Sequence, residues 1–211
     1  MKTHKIWHQA ATPALARLAL AVLAFSAIAG AANLTEAEKK EGLAQLERTR
    51  AGVIEATKGL SEAQWKFKPA PDRWSVAEVM EHIALSEDML FENTSTKVMS
   101  APAGKADRDP KAGDEMVLKV IPDRTNKVKA PDPLVPTGRW TPQESLDHFS
   151  KGRARTVEYL KSTPDLRDHV VDSPIGEPLD AYQWLLFTSA HSERHTKQML
   201  EVKADPNFPK Q

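Results

Sequence analysis

The sequence predicts an all-α protein, a four-helix bundle with a long crossover between its second and third long helices. Three observations point there. Helix-start motifs, in which a small polar residue is followed three positions later by Glu or Gln, stand ahead of four long stretches. Each stretch carries apolar residues at three- and four-residue spacing, and none alternates as a strand would. Between the second and third stretches lie residues 100 to 140, with six prolines and little periodicity. A connection of that length lets the second and third helices run parallel, while short links leave the other neighbours antiparallel.

The elements follow in order. Thr35 and Glu38 open a first helix whose Leu43, Leu46, Val53 and Ile54 share a face to about Lys58. Ser61 and Gln64 repeat the motif over a short turn carrying Trp65, and Lys68-Pro-Ala-Pro-Asp72 is a rigid connector. Ser75 and Glu78 open the second long helix, expected to reach roughly Val98 with Val76, Val79, Met80, Ile83 and Leu90 apolar. Within the crossover only Asp114 to Ile121 is amphipathic, and its Met116, Val117, Val120 and Ile121, with Trp140 beyond, predict a segment packed on the bundle. Thr141, Pro142 and Glu144 start the third helix, which runs to about Lys161. Ser173-Pro-Ile-Gly176 turns the chain, Asp180 caps the fourth helix with Gln183 at its third position, and Asp205-Pro206 closes it.

The first 32 residues read differently. A basic start with Lys2 and Lys5 precedes the apolar run Leu18 to Ile28, which is too short to span a bilayer, and the small residues Ala29 to Ala32. That order is expected for a signal peptide over 1-32, cleaved after Ala31 or Ala32, and hence for a periplasmic or secreted protein. Arg17 shortens the apolar length that an uncleaved anchor would need. Cleavage removes three cations, Lys2, Lys5 and Arg17, from a chain holding 29 basic and 29 acidic residues, so the remaining domain, 33-211, carries a formal charge of −3. That charge gives no pull toward nucleic acid, predicts no stable membrane insertion after cleavage, and leaves a homodimer open. The absence of cysteine excludes a disulfide, a thiol nucleophile of the protein's own, and lipoprotein attachment.

A bundle core is apolar, so polar side chains that face inward are where function is sought. On a helix, His191 and His195 lie about 40° apart on the face of Trp184, Thr188, Gln198, Met199 and Val202. Imidazoles four residues apart can share one metal ion, although His191-Ser-Glu-Arg-His195 lacks the adjacent glutamate of the HExxH motif. His82 sits at the edge of the second helix's stripe, with Ser86 and Asn93 on the same side. Arg153 is surrounded on its helix by Leu146, Phe149, Val157 and Leu160. It must snorkel out or find an anion there, either a carboxylate such as Glu78 or Glu81 or a substrate anion. Arg50 is expected to snorkel, and His148 and His169 to be solvated.

Other chemistries leave no mark. There is no GxSxG elbow, phosphate-binding glycine loop, CxxC pair or EF-hand spacing. The basic run Arg124 to Lys129 lacks interleaved aromatic residues and reads as a solvated loop.

The stretches Arg73-Trp-Ser-Val-Ala-Glu-Val-Met-Glu-His82 and His191-Ser-Glu-Arg-His-Thr-Lys-Gln198 resemble the DinB-like superfamily of bundle metalloproteins, and the resemblance extends from about Leu34 to Ala204. It implies that His82 joins His191 and His195 in holding one divalent metal ion, zinc or nickel first, manganese or iron next, with open positions facing a pocket. Characterised relatives include thiol-dependent S-transferases and a maleylpyruvate isomerase that use low-molecular-weight thiols. The implied chemistry is activation of a thiol or of water for attack on a small electrophilic substrate. In that setting Arg153 is expected to meet a substrate anion or steady the site, and Gln198 to orient a ligand by hydrogen bonding. The relatives act in the cytosol, whereas this chain carries an export-type start. That favours a metal-dependent hydrolase, or a non-catalytic periplasmic bundle holding a ligand or metal, over a thiol transferase.

Overall fold

The computed structural model describes residues 33–104 and 108–210. The expected signal peptide lies outside the described residues. Six helices and one small hairpin follow in order: α1 (Glu36–Thr57), α2 (Glu62–Lys66), α3 (Val76–Glu92), α4 (Pro110–Val120), α5 (Pro142–Ser162), β1 (Val170–Asp172), β2 (Pro178–Asp180) and α6 (Ala181–Lys203). Among the described residues no helix is long and apolar enough to cross a membrane.

All five expected helix starts are reciprocal capping boxes. Thr35, Ser61, Ser75, Thr141 and Asp180 each accept from the backbone N–H three residues on. The side chains of Glu38, Gln64, Glu78, Glu144 and Gln183 reach back to the cap. Each such cap contributes about 0.5–2 kcal/mol by satisfying amides that a helix end leaves open. α3 ends at Glu92, short of the expected Val98, and the chain continues as a π-helical turn, Asn93–Val98. There the Thr94 and Thr96 hydroxyls donate to the carbonyls of Leu90 and Glu92, four residues back. The Ser173–Gly176 turn is present, with Gly176 at φ 85°. It joins the antiparallel β1 and β2, which no alternation announced because each is three residues long.

The four long helices are α1, α3, α5 and α6. Tyr182 Oη donates to Glu38 O, Ser189 Oγ to Gln45 O, and Lys203 Nζ to Ala56 O, so α1 and α6 run side by side and parallel. Glu87 meets Arg153, Asp88 meets Arg155 and Phe91 stacks edge-on against Tyr159, so α3 and α5 are also parallel, as the long crossover requires. α1 packs on α5 and α6, and α3 packs on the same two helices. The short-linked pairs α1/α3 and α5/α6 therefore stand across the diagonal, not side by side as expected, whereas α3 and α5 are direct neighbours.

The core has two apolar parts. One gathers Leu46, Leu90, Leu160, Tyr182, Leu185 and Leu186; the other Val53, Val79, Met80, Ile83, Phe149 and Met199. Between them lies a polar layer centred on Arg153, which is 0 % exposed. Its guanidinium meets Glu87 through two contacts of 2.8 Å and donates to Leu46 O, Thr49 Oγ1 and Ser192 Oγ. The expected partners Glu78 and Glu81 are occupied elsewhere. Glu78 serves the Ser75 cap and Lys68, while Glu81 accepts from the Thr137 and Gly138 amides.

The crossover is packed, as expected, but its helix α4 starts earlier than the amphipathic piece, at Pro110 behind the Asp109 cap. Val117 and Ile121 are buried in the core with Met116 and Leu118 packed against it, and charged contacts add to that hold. Arg167 ties Asp114 of α4 to Asp180 and Glu38, with contacts of 2.6 to 3.1 Å. Further on, Arg194 donates to the carbonyls of Ile121, Asp123 and Asn126. Lys197 reaches Pro122 O, and Arg124 forms a two-point pair with Glu201.

Candidate metal centre

α3 and α6 bring His82, His191 and His195 together. His82 Nε2 lies 3.1 Å from His195 Nε2, which lies 3.1 Å from His191 Nε2. Nitrogens of all three fall within 4.8 Å of one another, a spacing from which one ion can be held. His191 and His195 sit one turn apart on α6. His82 faces them because its position on α3 lies beside the buried Val79, Ile83 and Ser86.

The outer ring nitrogens decide what the inner ones can do. His82 Nδ1 is 2.8 Å from Leu134 O, a carbonyl that only accepts, so the proton sits on Nδ1 and Nε2 carries a lone pair. His195 Nδ1 is 2.8 Å from Gln198 Oε1, and Arg124, which only donates, reaches the same Oε1 at 3.3 Å. His195 is thereby held in the same tautomer. Two Nε2 lone pairs thus confront each other at 3.1 Å with no proton between them, an arrangement that a cation relieves. Neutral imidazoles oriented from behind by a carbonyl and an amide fit a divalent ion.

The pKa values lean the same way. Burial holds His82 below the ordinary imidazole range, against the pull of its bond to Leu134. Burial first, then His82 and Arg194, push His191 down to about 3. Burial, then the two neighbouring imidazoles, lower His195 well below the ordinary value. All three are therefore neutral near pH 7, the form that binds metal.

The imidazoles line a cleft of about 490 Å³. One wall is Trp74, whose ring lies 5.0 Å from that of His82, with Phe187 stacked toward His191. The other wall comes from the crossover, from Val120 to Leu134.

Of the other residues singled out in the sequence, Gln198 lines the cleft behind His195. Arg153 does not line it; it is buried in the polar layer with its donors taken up by protein acceptors. Arg50 snorkels to Glu47 as expected. His148 is exposed but stacked on Trp140 at 3.9 Å, and His169 is half-buried with Nδ1 2.6 Å from Ala101 O, so neither is simply solvated. The basic run is not a free loop either, since Arg124 is clamped by Glu201 and its neighbours line the cleft.

Sequence reasoning missed Leu134, Arg124, Arg194 and Glu87. Only Glu87 left a signal: it lies on the same stripe as Met80, Ile83 and Leu90, an acid on an apolar face. Leu134 acts through its backbone, which no side-chain pattern reports.

Fold and site together define a helical-bundle protein with a convergent three-imidazole cluster lining a cleft. The DinB superfamily model matches residues 45–199, and the chain belongs to that family. A curated relative, the uncharacterized protein YuaE of Bacillus subtilis (strain 168), is 29% identical over 150 residues, spanning 69% of this chain and 87% of its own length. Among solved structures, YfiT from Bacillus subtilis superposes with a TM-score of 0.52 at 18% identity, covering 84% of this chain and 93% of its own. YfiT is described as a probable metal-dependent hydrolase with an unusual four-helix bundle topology. At that identity the likeness speaks for the fold.

Proposed function

We propose that His82, His191 and His195 hold one divalent metal ion and that the cleft presents a small electrophilic substrate to it for nucleophilic attack. The observation that carries this reading is the 3.1 Å approach of the Nε2 atoms of His82 and His195, whose Nδ1 atoms each face an oxygen acceptor. The description of YfiT as a probable metal-dependent hydrolase supports hydrolysis as the reaction class. A bound divalent ion supplies Lewis acidity and makes water, or a thiol, a competent nucleophile near neutral pH. The chain's own residues do the positioning. Leu134 O and Gln198 Oε1 hold the His82 and His195 rings and keep the Nδ1 protons, and Arg124 fixes Gln198. Trp74, Phe187 and the crossover wall limit water around the cluster. Zinc or nickel suits such a donor set, as do manganese and iron. Water is the favoured nucleophile over a low-molecular-weight thiol, because the export-type first 32 residues place the protein in the periplasm or outside the cell on this reading.

Metal analysis of the purified full chain beside His82→Ala tests the site. We expect about one ion per wild-type chain and a large loss in the variant; equal metal in both overturns the assignment. Recovery of the protein from the exported fraction, with an N-terminus at residue 32 or 33, tests the address.

A second reading has its own observation. The cleft offers one carboxylate, Asp72, and it is exposed, so a general base is not built into the walls. A non-catalytic bundle that holds a ligand or metal would look the same. It predicts stoichiometric metal with no turnover of activated esters or lactones.

A further inference from the structure

The cleft in front of the imidazoles is charged as well as apolar. Five cations line it, Arg73, Arg124, Lys127, Lys129 and Arg194, against the single carboxylate of Asp72. Glu201, outside the lining, is already engaged: it takes two contacts of 2.6 and 2.8 Å from Arg124 and lies 3.8 Å from Arg73. Arg194 gives its donors to three backbone carbonyls, which are uncharged and leave its positive charge in place. The Asp123 carboxylate accepts from the Thr125 amide and hydroxyl and offsets part of the Arg194 charge, so the excess of cations is smaller than the lining alone suggests. Lys127 and Lys129 are exposed and take no hydrogen bond or salt bridge among the described residues, although Lys127 lies within electrostatic reach of Glu201. The cleft mouth therefore carries a net positive field over low-dielectric walls, which concentrates anions.

The walls add a second demand. Trp74, Leu134, Ile175 and Phe187 add apolar surface to the lining that holds the imidazoles and the lysines. A bare inorganic anion would leave that surface wet, and a neutral hydrocarbon would leave the cations unanswered.

We infer that the ligand of this cleft is a small organic anion, its apolar body on Trp74, Leu134 and Phe187 and its charged group among Lys127, Lys129 and Arg194. The assignment rests on the proposed metal site only for which end of the molecule reacts. The charge preference follows from the rim alone.

Three probes of matched shape test it: 4-phenylbutyrate, 4-phenylbutan-1-ol and 4-phenylbutylammonium. Each is titrated into the full chain as purified, by calorimetry at low and moderate salt, with metal content measured on the same sample. We expect the carboxylate to bind more tightly than the alcohol and the ammonium to bind least, with the order compressed by salt. In Lys127→Ala/Lys129→Ala, affinity for the carboxylate should drop about three- to tenfold while affinity for the alcohol and the metal content stay put. Both substitutions lie on an exposed loop and leave the core intact. Equal binding of the three probes overturns the assignment. So does a carboxylate preference untouched by the double variant, which would take the two lysines out of the charge recognition. Lysine-dependent co-sedimentation with phosphatidylglycerol vesicles, without any preference among the probes, would also overturn it by making the rim a membrane contact. A wild-type sample without metal that still prefers the carboxylate would sink the metal reading alone; full metal with no preference would sink the anion assignment alone.

Discussion

Leu134 O sits 2.8 Å from Nδ1 of His82, so a carbonyl of the crossover fixes the tautomer of an imidazole on α3. Gln198 does the same for His195 from within α6. One cluster is therefore oriented from two directions, by main chain and by side chain.

Removing the side-chain acceptor isolates its share. Gln198→Leu should leave the bundle folded and weaken metal binding about 10- to 100-fold, because the His195 ring is then free to turn and to change tautomer. Competition with a chromophoric chelator measures this. Unchanged affinity would show that packing alone holds the ring.

The Arg153–Glu87 pair is a matter of stability. Glu87→Ala leaves a buried guanidinium without its carboxylate and should cost about 3–5 kcal/mol in urea denaturation. Glu87→Leu combined with Arg153→Met replaces both charges by apolar groups and should cost less than Glu87→Ala. A double variant as unstable as the single one would mean that Thr49, Thr156 and Ser192 depend on the ions for their own bonding.

Gly152 lets α5 approach α3. A Cβ there would stand 2.9 Å from Glu87 Cγ and 3.5 Å from Asp88 Oδ1. Gly152→Ala should lower stability by about 1–3 kcal/mol through overpacking, despite the higher helix propensity of alanine. A neutral or stabilising result would show that the two helices can part without harm.

The pH dependence follows from the lowered imidazole pKa values. The unfolded chain takes up protons near the ordinary histidine value of 6.5, whereas His191 in the fold resists until about 3. The unfolded state thus binds more protons across that window. Stability is fully present above 6.5 and declines as the pH falls toward 3, by at most about 1.4 kcal/mol per pH unit for each imidazole. Denaturation of chelator-treated protein from about pH 7 to about pH 5 should show this decline, and a shallower one in His191→Ala. Identical slopes would mean that His191 protonates freely in the folded state.

The helix starts were legible because a capping box is a local event, written within four residues, and all five boxes formed. The inward aim of His191 and His195 followed from helical periodicity. Joining His82 to them is a contact across 113 positions, which no periodicity encodes, and it needed a family resemblance. The burial of Arg153 could be read from its apolar neighbours, but its partner could not, because α3 carries five acids and the two expected ones, Glu78 and Glu81, had duties elsewhere. The apolar part of the crossover's hold was legible in Val117 and Ile121, but its polar part was hidden for a different reason. Arg167, Arg194 and Glu81 grip it through charges and backbone groups, which look in sequence like any solvated surface.

The parallel course of α3 and α5 has a consequence for where the cleft can be. A chain leaving the far end of α3 must travel the whole bundle back before α5 can begin, and its return path is written in its contacts: Pro110 O at Gln183, Pro122 O at Lys197, Leu134 O at His82. That path runs along α6 and passes in front of its histidines. The cleft's second wall is thus a by-product of chain direction. In a bundle whose second and third helices ran antiparallel, a short turn would join them, and the same three imidazoles would look out on bare solvent.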